Sequence, residues 1–92
     1  SKNTTILISR TNGLDLINNT MNVGLQLFTT KDITFKKNKI TTTNSNGVYL
    51  REINENIILD SNVIDVSTGF ECIKIQSTTN NLEITESFTT CK

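Results

Sequence analysis

One pattern limits what this chain can become: a short unit of fixed internal order occurs four times along it. Ile6/Ile8, Leu14/Leu16, Asn19 and Met21 make the first unit. Leu25/Leu27, Ile33/Phe35, Asn38 and Ile40 make the second. Val48/Leu50, Ile57/Leu59, Asn62 and Ile64 follow, and Ile73/Ile75, Leu82/Ile84, Ser87 and Thr89 complete the series. Successive units lie 19 to 25 residues apart, and the step from the second apolar pair to the Asn (Ser in the last unit) is the same in all four. Each pair is an apolar-x-apolar triplet between polar residues, the signature of a very short strand with one buried face. Strands this short are not stable alone or as a hairpin. They need many neighbours.

Composition supports strands over helices. The chain holds 16 Thr, 13 Asn, 7 Ser and 12 Ile among 92 residues. Asn, Ser and Thr compete for backbone partners, and Ile is stiff at its first torsion, so helix propensity is low. The regular placement of the apolar residues argues against disorder, which polar composition alone would permit. A unit holding three short strands is one coil of a β-solenoid, and stacked coils place equivalent residues about 4.8 Å apart in parallel sheets. The spacing predicts an all-β fold of about four coils with three faces. Inward residues on the first are Ile6, Leu25, Val48, Ile73 and Ile8, Leu27, Leu50, Ile75. On the second they are Leu14, Ile33, Ile57, Leu82 and Leu16, Phe35, Leu59, Ile84. The third takes Met21, Ile40, Ile64, Thr89 and Val23, Thr42, Val66, Cys91.

The units GLQLFTTKDITFKKNKI, GVYLREINENIILDSNVI and CIKIQSTTNNLEITESFT resemble the right-handed parallel β-helix family, the fold of pectate lyases, phage tailspikes and NosD-like repeat proteins. The resemblance covers Thr5 to about Cys91 and implies a single solenoid segment over residues 1–92. Its most specific element is a turn Asn whose amide bonds to neighbouring coils as a ladder. That role falls on Asn19, Asn38 and Asn62, with Ser87 as a departure in the last coil. Asn suits such a turn because it tolerates the left-handed backbone region and carries both a donor and an acceptor.

In that family substrate lies along the outside of the first sheet. The outward positions there include Gln26, Phe28, Tyr49, Arg51, Lys74 and Gln76, suited to stacking on a sugar ring and bonding its hydroxyls or carboxylates. The plain alternative is an ordinary solvent-facing sheet. A lyase of this fold would need clustered carboxylates binding calcium and a base, and a hydrolase two or three facing carboxylates. The coil register brings no two acids into one outward column of adjacent coils of the first sheet, so no catalytic residue, metal site or cofactor is expected. Without His, imidazole acid/base chemistry is excluded. Nine basic against nine acidic residues give no electrostatic case for nucleic acid. No apolar run approaches the roughly 18 residues of a membrane span.

Cys72 opens the first strand of the last coil and Cys91 closes its third, near the same corner. Either they form a disulfide that tethers this end, in keeping with an oxidising, exported setting, or they are unlinked thiols with Cys91 filling an inward slot. A solenoid also needs its ends covered, and the sequence offers no capping helix. The expectation is therefore a segment of a longer chain, or a subunit stacking on its neighbours. Three functions remain in view. The first is a structural or binding segment of an extracellular, cell-surface or virion-surface fibre or adhesin that contacts glycans. The second is a fragment of a polysaccharide lyase, epimerase or hydrolase. The third is a subunit of an end-to-end filament.

Overall fold

The computed structural model describes residues 5–77, 84–87 and 90–91. Among these described residues, twelve short strands, numbered in chain order, form three sheets of four. The first sheet takes β1 (Thr5–Ser9), β4 (Gly24–Phe28), β7 (Val48–Glu52) and β10 (Ile73–Ser77). The second takes β2 (Asn12–Ile17), β5 (Lys31–Lys36), β8 (Glu55–Asp60) and β11 (Ile84–Ser87). The third takes β3 (Thr20–Met21), β6 (Lys39–Thr42), β9 (Val63–Val66) and β12 (Thr90–Cys91). Each of β1 to β9 pairs with the strand three places on, always parallel. This is a β-solenoid. No helix occurs among the described residues. From β1 to β10 the chain completes about three turns, slightly fewer than the four full coils expected.

Side-chain alternation sets the interior. Ile6, Leu25, Val48 and Ile73 stand in one register, and Ile8, Leu27, Leu50 and Ile75 in the next. On the second sheet Leu14, Ile33 and Ile57 align, as do Leu16, Phe35 and Leu59. Leu25, Leu27, Ile33, Phe35, Ile40, Val48, Leu50, Ile57, Leu59 and Ile64 are all buried, so the core is a narrow dry column centred on the second and third rungs. Fully burying one such side chain stabilises the fold by about 1.5–3 kcal/mol.

The last rung departs from the expected register. Ile84, not Leu82, stands opposite Ile57, and Cys91 stands opposite Ile64 rather than Val66. Leu82 and Thr89 lie outside the described residues. A shift of two preserves the facing of a strand, because side chains alternate with period two, so the sequence pattern alone does not choose between the registers. The disulfide does. Opposite Ile64, Cys91 comes within reach of Cys72, whose Sγ lies 3.6 Å from the Ile64 carbonyl oxygen. The two cysteines are bonded, with Cα atoms 5.9 Å apart.

Two corners are lined by polar stacks. At the turn from second to third sheet, the Asn38 Oδ1 accepts from the Asn19 N–H at 2.8 Å, and the Asn62 Oδ1 from the Asn38 N–H at 2.9 Å. Each amide also donates one rung back, Asn38 to the Leu16 carbonyl at 2.8 Å and Asn62 to the Phe35 carbonyl at 2.9 Å. Asn38 and Asn62 are buried. The bent backbone, however, belongs to the residue before each: Asn18, Lys37 and Ser61 have φ of 61°, 56° and 58°. Asn is thus used here for its amide, not for its backbone tolerance. Ser87 stands in backbone register with Asp60, not with Asn62, and the Thr90 N–H donates to the Asn62 carbonyl at 2.8 Å.

Candidate functional site

The first sheet's outer face is assembled by strand pairing. Gln26, Tyr49 and Lys74 form one column across β4, β7 and β10, and Phe28, Arg51 and Gln76 form the column beside it. Three consecutive rungs therefore bring all six sequence-predicted residues into one two-by-three patch. The backbones of Gln26, Phe28, Tyr49 and Arg51 are held in place by the inward residues Leu25, Leu27, Val48 and Leu50 buried beneath them.

Within the patch the side chains engage one another. The Arg51 guanidinium carbon lies 5.6 Å from the centroid of the Phe28 ring and 5.6 Å from that of Tyr49. The Lys74 Nζ lies 5.8 Å from the Tyr49 centroid. An exposed cation over a ring contributes about 0.5–1 kcal/mol. Arg51 Nη1 donates to Gln26 Oε1 at 3.2 Å, Gln26 Nε2 donates to Thr5 Oγ1 at 3.2 Å, and the Tyr49 hydroxyl donates to Gln76 Oε1. The chain of contacts ties four rungs together on the outside as the buried Asn residues do on the inside.

The chemistry this permits is recognition. Two aromatic rings, two cations and two amides offer apolar faces, charge and hydrogen bonds within one flat area. Arg51 carries five N–H donors, one of which serves Gln26. Elsewhere the acids serve the exterior of the second sheet, where Lys31 pairs with Glu55 at 3.8 Å and Lys36 with Asp60 at 4.0 Å. Among the described residues no three His, Cys, Asp or Glu side chains are grouped to hold a metal ion.

Sequence reasoning overlooked a second buried polar stack, at the corner between the first and second sheets. The Asn54 Oδ1 accepts from the Thr30 N–H at 3.0 Å and the Thr30 hydroxyl at 2.6 Å. The Asn54 amide donates to the Arg51 carbonyl at 2.8 Å and the Leu27 carbonyl at 3.2 Å. Its signal is weak because the residue type changes along the column, from Thr30 to Asn54. This stack fixes the backbone of Arg51, and with it the edge of the outer patch. Comparisons with family models, curated proteins and solved structures return no match for this chain.

Proposed function

We propose that this chain is a structural and binding segment of an exported surface, fibre or adhesin-like protein, a β-helix of the right-handed kind whose first sheet presents a glycan-contacting face. One observation carries the reading. Three successive rungs place Phe28, Tyr49 and Arg51 beside Gln26, Lys74 and Gln76 on a single flat face backed by a dry core. A solenoid sets such groups at the rung spacing of about 4.8 Å, which suits a ligand that itself repeats, as an extended glycan does. The disulfide between Cys72 and Cys91 agrees with an oxidising destination. On this reading the segment holds its ligand without turning it over.

The test is binding to an array of glycans, with the Tyr49→Ala variant as comparator. Binding by the parent chain, lost in Tyr49→Ala while its circular dichroism is unchanged, is the expected result. Equal binding by both proteins would remove the outer face from consideration. Release of new reducing or unsaturated ends from any bound polysaccharide would move the chain to the enzyme class.

A further inference from the structure

Asn-Gly occurs twice in this chain, as Asn12-Gly13 and Asn46-Gly47. The pair is chemically reactive because glycine has no side chain to shield its backbone nitrogen from the side-chain carbonyl of the preceding Asn. The fold treats the two copies in opposite ways.

Asn46-Gly47 is locked. The Asn46 Oδ1 accepts from the Glu71 N–H at 2.8 Å, and the Gly47 N–H donates to the Glu71 carbonyl at 2.9 Å. Gly47 is buried where a Cβ would strike the Cys72 carbonyl. Both hydrogen bonds must break before the two groups can react.

Asn12-Gly13 opens β2 on the first rung, and both residues are exposed. The Asn12 side chain has no hydrogen-bond partner among the described residues. Gly13, at a φ of 85°, is the one residue of β2 without a register partner in β5, and a Cβ on it would meet nothing within 4 Å. A ring closing here has room. Arg10 and Lys31 line the same corner as Asn12, with Glu55 the one acid among them. Their positive charge favours loss of the Gly13 amide proton.

We propose that Asn12 is a site of spontaneous deamidation, and that the aspartate it forms joins an ion-pair column on the second sheet. The Gly13 nitrogen gives its proton to hydroxide and attacks the Asn12 side-chain carbonyl carbon. The new N–C bond closes a succinimide, the bond to the side-chain nitrogen breaks, and ammonia leaves. Water then opens the ring at either carbonyl. Opening at one gives aspartate, in register with Lys31, which is itself in register with Glu55 and paired to it at 3.8 Å. Acid, base and acid then alternate across three rungs, an arrangement that favours cross-strand pairing. Opening at the other gives isoaspartate, whose extra main-chain methylene cannot keep both Asn12 opposite Lys31 and Leu14 opposite Ile33.

Peptide mapping by mass spectrometry, after incubating the intact chain in mildly alkaline buffer, tests the site. The Asn12 peptide should gain the mass of an amide-to-acid conversion, divided between aspartate and isoaspartate. Asn46 should convert at least about tenfold more slowly, since it reacts only from a locally opened state, and urea should abolish the difference. An unmodified Asn12, equal conversion at both sites in the folded chain, or a difference that persists in urea would each overturn the proposal. For the ion-pair column, Asn12→Asp should slow amide exchange in β2, and the same substitution in a Lys31→Gln background should not. Exchange that is unchanged or faster in Asn12→Asp would contradict the assigned role of the aspartate.

Discussion

Leu27 and Ile75 stand in the same column of the first sheet, both paired in register with Leu50 and both on the inward side of the pleat. Yet Leu27 is fully buried and Ile75 is 51% exposed. The same contrast separates Leu25 from Ile6, which is 42% exposed although it occupies the equivalent position one rung earlier. Facing is decided by the strand itself, whereas burial needs a rung on either side. In a solenoid each rung is stabilised chiefly by its neighbours, so the second and third rungs carry the stability and the first and last borrow from them.

Substitutions that separate the two regions should therefore differ in effect at matched positions. The largest contrast is Leu50→Asp against Ile75→Asp. Leu50 is fully buried in the third rung, and an unpaired carboxylate there would abolish folding, as read by circular dichroism. Ile75→Asp, in the same column, should leave a folded protein. Phe35→Ala should cost about 3–5 kcal/mol in urea denaturation, while Leu16→Ala, its half-buried partner in the first rung, should cost less than half as much. Equal losses would mean that the first rung is covered as well as the middle ones.

The last rung is held covalently, by the bond between Cys72 and Cys91. Cys91→Ser opens the loop closed by the disulfide, a change of about 3 kcal/mol in the chain-entropy description. Amide exchange should then accelerate in β10 and β12 while Phe35 and Leu50 keep their protection. Next in size is the buried ladder. Asn62→Ala leaves the Asn38 N–H and the Phe35 carbonyl without their side-chain partner, at a cost of about 2–3 kcal/mol. Asn19→Ala, at the exposed start of the same ladder, should cost under about 1 kcal/mol. The smallest effect belongs to the exterior, where Lys36→Ala removes an exposed ion pair worth under about 1 kcal/mol.

The parts legible in the sequence were those that repeat. Leu25, Leu27, Ile33, Phe35, Val48, Leu50, Ile57 and Leu59 alternate at period two, and Asn19, Asn38 and Asn62 keep one distance from the strand before them. The outer patch followed from the same register, because residues between inward positions must face out. Features built once escaped. Asn54 stacks on Thr30, so no residue type recurs to mark that corner. Gly24 and Gly47 admit no side chain: a Cβ at Gly24 would strike the Asn46 carbonyl, and one at Gly47 would strike the Cys72 carbonyl. Nothing in a single glycine announces such closeness. The two-residue slip of the last rung escaped for a different reason, since either register satisfies alternation and only the reach between Cys72 and Cys91 separates them.

Residue-resolved amide hydrogen exchange on the native protein puts the stacked-rung architecture to the test. Protection should peak at Leu27, Phe35, Asn38, Leu50 and Leu59 and decline towards Ile6 on one side, with β10 intermediate because of its disulfide. A flat profile, or strong protection at Ile6 and Ile8 with rapid exchange at Asn38 and Leu50, would show that the chain does not wind around a column buried at its middle rungs.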